Sequence, residues 1–378
     1  MKPLLIHGGH IIDPSLGIDE TGSLLITEGK ISWLGRGEIA PPQPDYDIIH
    51  AQGLIVCPGF IDLHCHLREP GFEEKETIVT GTQAAARGGF TTVCCMPNTN
   101  PPLDNQATID YVKTKAATEG AVRVLPIGCI SKGRKGGELA PMPELASAGV
   151  IAFSDDGQPV MNSGLMRQAL DYSYSSALPI IDHCEHTALT EGKVMNEGIV
   201  STRLELYGMP AAAEESMVAR DLALAQLTGG RLHIAHVSTE GSVELIRRAK
   251  EKGIQVTAEV TPHHLTLTEE RVTGYDTNTK VNPPLRTKRD IQALIQGLRE
   301  NVIDIIATDH APHTEAEKRC EFALAPFGIS GFETALGSLM RLVHDEQLTM
   351  ATLIAKLTSE PSKIIGNKYG TLGTLAIG

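Results

Sequence analysis

The sequence predicts an α/β fold, a TIM-type (β/α)8 barrel with a small β-sheet domain. From Gly59 onward, eight short apolar runs alternate with helix-length amphipathic segments, which is the βα rhythm of a parallel sheet. Before that point, short apolar runs alternate with Gly, Pro and Asp, a pattern typical of short strands and turns. The 378 residues are enough for a barrel of about 250 residues and a second unit.

The predicted barrel strands are short and apolar: Phe60–Leu63, Thr91–Cys95, Arg123–Ile127, Val150–Phe153, Pro179–Ile181, Leu232–Ala235, Gln255–Ala258 and Asp304–Ala307. Helices are predicted between most of them, at Glu76–Arg87, Asn105–Thr118, Ser163–Ser176, Ala211–Leu227, Ser242–Lys252 and Lys288–Arg299. Catalytic groups of such barrels follow the C-terminal ends of the strands. The irregular stretch Thr308–Gly331 is therefore predicted to be an active-site loop.

The predicted domain organisation is a small β domain over 1–57 and a barrel over 58–366, with 367–378 beginning a return to the β domain. Within this scheme residues 351–366 form terminal helices, and a further strand starts at Gly370–Gly373. The strands of the small domain are predicted at Leu4–His7, Leu24–Ile26, Ile31–Gly35, Ile48–Ile49 and Leu54–Cys57.

Composition narrows the possible functions. The net charge is −13, which repels phosphate backbones and anionic membranes and argues against nucleic acid or membrane as a partner. The apolar run at the start, Pro3–Ile6, is too short for a signal peptide, and no run approaches the ~18 residues of a membrane span. Seven cysteines, mostly inside apolar runs, suit a reducing compartment, so we expect a cytoplasmic protein.

A histidine pair ends the first barrel strand. His64 and His66 are two residues apart, so both imidazoles leave the same face of the strand, as two ligands of one metal ion would. Zinc and similar metals favour imidazole nitrogen. The alternative is a pair of solvated histidines at a strand end.

Three further strands end in residues that metals accept as ligands. His183 follows the fifth strand, His236 the sixth and Asp309 the eighth. Any one of them alone is more often a hydrogen-bonded or exposed residue than a ligand, but the pattern repeats at several strand ends. His233, three residues before His236, is predicted to face the helices and to be structural.

The fourth strand ends in Asp155, Asp156 and Gly157, and a carboxylate there can bridge two ions. The same three residues are also a strong turn signal, and both interpretations can hold together.

Other motifs carry less weight. Gly133–Gly137 lacks the spacing of a phosphate-binding loop and is interpreted as a basic turn. Cys94 and Cys95 are predicted core thiols. His263 and His264 are assigned a structural role or one that supports the site from behind.

Five longer segments occur in order: Asp62–Gly71, Met96–Thr99, Asn282–Arg286, Ala307–His313 and Ser330–Thr334. Together they resemble the dihydroorotases of the amidohydrolase superfamily, and the resemblance spans positions 1 to 378. No Lys lies between Gly149 and Val160, so the better match is the subgroup with a bridging Asp in place of a carboxylated Lys.

The resemblance implies a metal site with two zinc ions per chain. Its implied ligands are, for one ion, His64, His66 and Asp309 and, for the other, His183 and His236, with Asp156 and a hydroxide bridging the two. Asp309 would also be the catalytic acid and base, and Asp155 would be structural or support the site.

The resemblance also implies substrate contacts from His66, Arg68, Asn98, Asn282, His313, Phe327 and Gly328, the last two through their backbone. A guanidinium fork such as that of Arg68 suits a carboxylate. Side-chain amides such as those of Asn98 and Asn282 can contact ring N–H and C=O groups.

The implied reaction is the reversible cyclisation of N-carbamoyl-L-aspartate to (S)-dihydroorotate and water, in pyrimidine (UMP) biosynthesis. The alternatives are another cyclic amidohydrolase, an allantoinase or dihydropyrimidinase, or a non-catalytic scaffold for aspartate carbamoyltransferase. Arg68 and the missing lysine argue against the first alternative, and the surviving ligand positions argue against the second.

Aspartate carbamoyltransferase is also an expected partner of an active enzyme, and a homodimer is expected. Family members continue beyond the equivalent of Gly378, so the tail is expected to resemble a truncated return to the small sheet.

Overall fold

The computed structural model describes residues 2–36 and 45–378. Their contacts divide the chain into two compact units, Met1–Ile61 with Leu348–Gly378, and Asp62–Gln347. The predicted domain boundaries, at 57/58 and 366/367, stay a prediction. None of the helices in the described part combines the length and the hydropathy that a membrane span requires.

The strands of the described residues are β1 Leu4–Asp13, β2 Ile18–Thr27, β3 Lys30–Arg36, β4 Asp47–His50, β5 Ile55–Val56, β6 Phe60–Cys65, β7 Phe90–Cys95, β8 Arg123–Pro126, β9 Phe153–Ser154, β10 Ile180–Asp182, β11 Met195–Asn196, β12 Gly208–Met209, β13 Leu232–Ile234, β14 Val256–Val260 and β15 Ile305–Ile306. The helices are α1 Ile78–Arg87, α2 Gln106–Glu119, α3 Met142–Ala148, α4 Ser163–Ser176, α5 Thr187–Thr190, α6 Ile199–Leu204, α7 Ala212–Thr228, α8 Glu240–Glu251, α9 Pro262–Thr266, α10 Lys288–Arg299, α11 Glu315–Lys318, α12 Phe332–His344, α13 Met350–Leu357 and α14 Ser359–Ile365. Short 3₁₀ turns lie at Lys132–Arg134, Glu269–Gly274, Thr277–Thr279 and Asn367–Tyr369.

Eight parallel strands form a closed barrel. Strands β6, β7 and β8 pair in that order, and β9, β10, β13, β14 and β15 form a second ladder. Parallel bridges join the two ladders at Gly128–Phe153 and at Cys65–His310, which closes the ring. The predicted TIM-type barrel is confirmed, and the strand ends all point to one mouth.

The barrel strands and helices form for local reasons. All six residues of β6 are buried, as expected for a strand covered on both faces. Asn162 caps α4 and Thr287 caps α10 in a capping box with Asp290, so both helices begin where the sequence predicts. The apolar residues of α10 lie on one face of the helix and are buried.

The first unit contains a five-stranded sheet in which β2 lies between β3 and β1, and both β4 and β5 pair with β1 in parallel. The predicted helices at 351–366 correspond to α13 and α14.

The predicted strand after Gly370 is wrong, because residues 370–378 form no strand. Instead the Asp13 carboxylate accepts the backbone N–H of Leu375 at 2.5 Å, which takes up a group that strand pairing would use. The Leu375 side chain packs with Ile11 and Leu24.

Candidate active site

Six side chains converge at the C-terminal mouth of the barrel, in the second unit. His64 belongs to β6 and His66 directly follows that strand, while the other four follow β9, β10, β13 and β15. Between 0 and 5% of each residue is exposed: His64, His66, Asp156, His183, His236 and Asp309. The structure thus places together all the ligand positions that the resemblance implies.

Asp156 lies at the centre of this cluster. Its Oδ1 is 3.4 Å from His64 Nε2, 3.5 Å from His236 Nε2 and 3.7 Å from His183 Nδ1, and its Oδ2 is 3.5 Å from His66 Nε2. Carboxylate and imidazole atoms that face one another at such distances leave room for an atom between them. Asp156 Oδ1 and His64 Nε2 are both buried with no hydrogen-bond partner in the described chain.

Asp309 completes the cluster from the other side. Its Oδ1 is 3.0 Å from His66 Nε2 and 3.5 Å from His64 Nε2. Among the described residues, two groups at this mouth bring ligand atoms within 4.8 Å of one another: His64 with Asp156 and His236, and His64 with His66 and Asp309. Imidazole and carboxylate are ligands of zinc and related ions, so the donor set and its orphaned atoms fit a metal.

The electrostatics of the cluster favour a cation. Burial lowers the pKa of His64, but the carboxylates of Asp156, Glu259 and Asp309 outweigh burial and hold that pKa well above its usual range. The same burial raises the pKa of Asp309, while the rings of His64 and His66 lower it more, so the net pKa is low. These carboxylates stay ionised and attract positive charge, whether carried by a proton or a metal.

Glu259 on β14 orients the first histidine and was missed in the sequence. Its Oε1 lies 2.5 Å from His64 Nδ1, and its Oε2 lies 3.1 Å from His233 Nε2. The backbone N–H of His236 also donates to Oε1 at 3.3 Å. The proton on His64 Nδ1 therefore faces Glu259 and leaves Nε2 for the cluster, the usual support for a metal-binding imidazole.

His233 does not face the helices, and that prediction is wrong. Its ring contacts Thr257 and Glu259, whose carboxylate reaches His64, so the side chain lies on the inner side of the strands. The prediction assumed that side chains alternate between the two faces from His233 to His236. His236 lies beyond the end of β13 and has φ +31°, so strand alternation does not extend to it.

Glu185 is the second carboxylate that the sequence did not reveal. Its Oε2 lies 2.8 Å from His183 Nε2 and 2.7 Å from Asn282 Nδ2, and the Thr190 hydroxyl donates to Oε1. Burial raises the pKa of Glu185, but His183 and the other donors lower it to about 2. With its Nε2 turned to Glu185, His183 offers Nδ1 to the cluster.

Three residues at the site have left-handed backbone conformations. The φ angles are +64° at Arg68, +31° at His236 and +45° at Asp309. Such conformations are strained for residues other than Gly, and they concentrate where function requires a particular side-chain direction.

Of the two candidate bridging carboxylates, only Asp156 enters the cluster. Asp155 instead accepts hydrogen bonds from the backbone of Ile130 and from the N–H and hydroxyl of Ser131. Arg134, in the predicted basic turn, donates to the carbonyl of Asp156 at 2.5 Å. The turn therefore supports the strand end that carries Asp156.

A cavity of about 390 Å³ opens directly over the cluster. All seven predicted substrate contacts line it: His66, Arg68, Asn98, Asn282, His313, Phe327 and Gly328. Arg68 Nε donates to the carbonyl of Pro312 at 3.1 Å, and His313 Nε2 donates to the carbonyl of Phe327 at 2.8 Å. A cationic fork thus lies beside a wall of amides and backbone groups.

Two lysines hold the loop that lines this cavity. Lys318 Nζ donates to the carbonyls of Pro326 and Gly328, and Lys280 Nζ donates to those of Phe322 and Ala323. The predicted loop Thr308–Gly331 contains one short helix, α11, and is otherwise irregular.

His264 has a structural contact next to the cavity. Its Nε2 carries the proton and donates to the carbonyl of Pro283 at 2.9 Å, so its Nδ1 accepts from the Thr261 hydroxyl at 2.8 Å. His264 therefore supports the segment that begins at Asn282 and lies outside the cluster itself.

Comparison with known proteins identifies the family. A family described as dihydro-orotase-like matches residues 53–242. A dihydroorotase of Pelotomaculum thermopropionicum is 55% identical over 370 residues, 98% of this chain and 86% of the relative. The dihydroorotase of Caldanaerobacter subterraneus is 52% identical over 97% of this chain and 84% of the relative. The chain belongs to the dihydroorotase family.

Membership of the dihydroorotase family makes the protein a hydrolase of cyclic amides in pyrimidine biosynthesis. Among solved structures, the L-hydantoinase (dihydropyrimidinase) of Arthrobacter aurescens has a TM-score of 0.87, with 22% sequence identity, over 100% of this chain and 85% of that chain. This likeness shows that the two chains share the fold. The metal-ligand groups at the mouth are those expected of a metal-dependent member of the family.

Proposed function

We propose that the cavity at the barrel mouth binds dihydroorotate and N-carbamoyl-L-aspartate and interconverts them, with loss or gain of one water. The observation that carries this proposal is the position of Arg68, a cation lining the cavity beside the histidine–carboxylate cluster. A substrate with a carboxylate on a cyclic amide matches a site that has a guanidinium on one side and the cluster on the other.

The cluster would hold two zinc ions. His64, His66 and Asp309 would bind one, His183 and His236 the other, and Asp156 would bridge them. When bound, the ions polarise the carbonyl under attack and lower the pKa of a water.

Asp309 would move the proton. Its Oδ1 faces His66, while its Oδ2 has no hydrogen-bond partner among the described residues. In ring opening, Asp309 accepts a proton from the attacking water and gives it to the departing ring nitrogen. In ring closure, it takes a proton from the carbamoyl nitrogen as the C–N bond forms and gives it to the oxygen that leaves the substrate carboxylate as the C–O bond breaks.

The remaining residues would bind and orient the substrate. Arg68 and Asn98 would contact the carboxylate, while Asn282, His313 and the backbone at Phe327–Gly328 would contact the ring. The Arg68 guanidinium in the cavity wall supports recognition of an acidic ring over a neutral one. The absence of a Lys between Gly149 and Val160 supports the subgroup with a bridging Asp.

The test is ring opening by the zinc-loaded protein, with dihydroorotate, dihydrouracil and allantoin as parallel substrates. Selective opening of dihydroorotate is expected. Equal or faster opening of a neutral ring would favour a dihydropyrimidinase or allantoinase. No turnover with two equivalents of zinc bound would favour the scaffold alternative.

A homodimer, a complex with aspartate carbamoyltransferase and a cytoplasmic location remain part of the proposal. Analytical ultracentrifugation of the protein, alone and mixed with that transferase, checks the first two.

A further inference from the structure

The side-chain amides of Asn98 and Asn282 line the cavity, and in each amide one of the two polar groups, the oxygen or the NH2, has a hydrogen-bond partner in the described chain while the other has none. Asn282 uses Nδ2, which lies 2.7 Å from Glu185 Oε2, and Asn98 uses Oδ1, which lies 2.9 Å from His66 Nδ1. Neither Asn282 Oδ1 nor Asn98 Nδ2 has a hydrogen-bond partner among residues 2–36 and 45–378.

The orientation of Asn282 follows from the chemistry of its partner. Glu185 Oε2 also faces His183 Nε2 at 2.8 Å, and Oε1 accepts from Thr190. A carboxylate oxygen surrounded in this way acts as an acceptor, so the atom of Asn282 that faces it must be the NH2 group. Turning the amide over would set two oxygens against each other in a buried place.

Asn98 has the opposite orientation for the same kind of reason. When Nε2 of His66 binds a metal ion, as proposed above, the proton of the ring is on Nδ1, which donates to Asn98 Oδ1 at 2.9 Å. The cavity therefore presents an acceptor from Asn282 and a donor from Asn98. A cyclic ureide that carries a carboxylate complements such a pair, because its carboxylate accepts from the Asn98 NH2 group and a ring N–H donates to the Asn282 oxygen.

We infer that Glu185 is a positioning residue that fixes the Asn282 amide with its oxygen toward the cavity, so that the site selects a ring offering an N–H there. This inference rests on the proposed function and adds a specificity determinant to it. Glu185 acts through Asn282 and does not touch the substrate.

The experiment measures the dissociation constant of orotate, a ring of the same polarity that is not opened, by calorimetry. The zinc-saturated proteins compared are wild type, Glu185→Gln, Asn282→Ala and the double variant. A Gln can donate to Asn282 and allow the amide to turn over. Each single change is expected to weaken orotate binding about 10- to 100-fold. The double variant is expected to bind orotate no more weakly than the single variant with the higher dissociation constant.

The matched control is Glu191→Gln, since Glu191 lines a neighbouring cavity together with Glu185 and Asn282, but the hydrogen bonds of the Asn282 side chain go to His183 and Glu185. It is expected to bind orotate as wild type does. Zinc content is measured for every variant, because Glu185 also faces His183.

Two results overturn the inference: Glu185→Gln binds orotate like wild type, or its loss persists in full in the Asn282→Ala background. If Glu185→Gln does not fold, orotate methylated at N1 or at N3 decides. Wild type should then disfavour one of the two by about tenfold or more, and Asn282→Ala should disfavour neither; equal binding of both by wild type overturns the inference. If wild type neither opens dihydroorotate nor binds orotate, the proposed function fails instead.

Discussion

The two sides of the candidate active site are built differently. The metal-ligand side consists of residues at strand ends that are at most 5% exposed, whereas Arg68, Asn98 and His313 on the substrate side are only partly buried. Carboxylates support the first side: Glu259 faces His64, and Glu185 faces His183.

Backbone carbonyls and lysines support the second side. Arg68 and His313 donate to the carbonyls of Pro312 and Phe327, and Lys318 holds the segment around Gly328. The comparison teaches that the reacting groups are fixed by the rigid barrel, while recognition depends on loops attached to it. A substitution on one side should therefore leave the function of the other largely intact, except at Glu185, which faces both His183 and Asn282.

The largest effect is expected from Asp309→Asn, which keeps a residue that tolerates φ +45° but removes the proton acceptor. We expect kcat to fall about 10³-fold, because general acid–base catalysis contributes about 10²- to 10⁴-fold, with zinc still bound by the histidines. Steady-state kinetics and elemental analysis measure both quantities. The control is Asp171→Asn, an exposed residue of α4; unchanged turnover in Asp309→Asn would remove Asp309 from the mechanism.

The next effect separates the two sides directly. Arg68→Met removes the cation of the cavity wall, so KM for dihydroorotate and Kd for orotate should rise about 10- to 100-fold, since hydrogen bonds to charged groups contribute ~1.5–3 kcal/mol. Zinc content should stay at the wild-type level. Arg167→Met, in an exposed ion pair on α4, is the control. Loss of zinc in Arg68→Met would show that the two sides are not independent.

Glu259→Gln tests the opposite side. A Gln at this position holds His64 and His233 less firmly, and loss of such a support costs about 10- to 100-fold in metal affinity. Competition with a chromophoric chelator measures that affinity. Orotate binding at saturating zinc should change little. Glu270→Gln, an exposed carboxylate, serves as the control, and equal zinc affinity in both variants would contradict the assigned support.

The smallest effect is expected at Lys318. Burial lowers its pKa to about 8, and neighbouring Lys280 adds to the lowering. Because the unfolded chain then binds more protons between pH 8 and 10.5, Lys318 makes stability rise with pH through that window. Lys318→Met should lose this rise and increase KM about two- to fivefold, since it frees the loop carbonyls. Urea unfolding at pH 7.5 and 10 measures the difference, with exposed Lys252→Met as the control; equal pH dependence in wild type and Lys318→Met would contradict it.

The sequence alone determined the barrel and the place of its site. The alternation of apolar runs with amphipathic segments is a local property. The capping residues of α4 and α10 likewise bond to groups no more than three residues away in the sequence. His64, His66, His183, His236 and Asp309 could be found because parallel strands end at the same mouth, so a ligand type at each strand end is visible without knowing any contact.

Only the tertiary structure decided how those residues are held. Glu259 lies 195 residues from His64, and Glu185 lies 97 residues from Asn282. Neither glutamate stands at a recognisable spacing from the histidine or asparagine that it contacts. His233 faces inward and not toward the helices, because the strand alternation on which its prediction depended ends before His236. Residues 370–378 also do not form the predicted strand, because the backbone N–H of Leu375 donates to the Asp13 carboxylate. Periodicity records which face of an element is buried, whereas the partner of a buried polar group depends on which distant elements the closed barrel brings within hydrogen-bond distance.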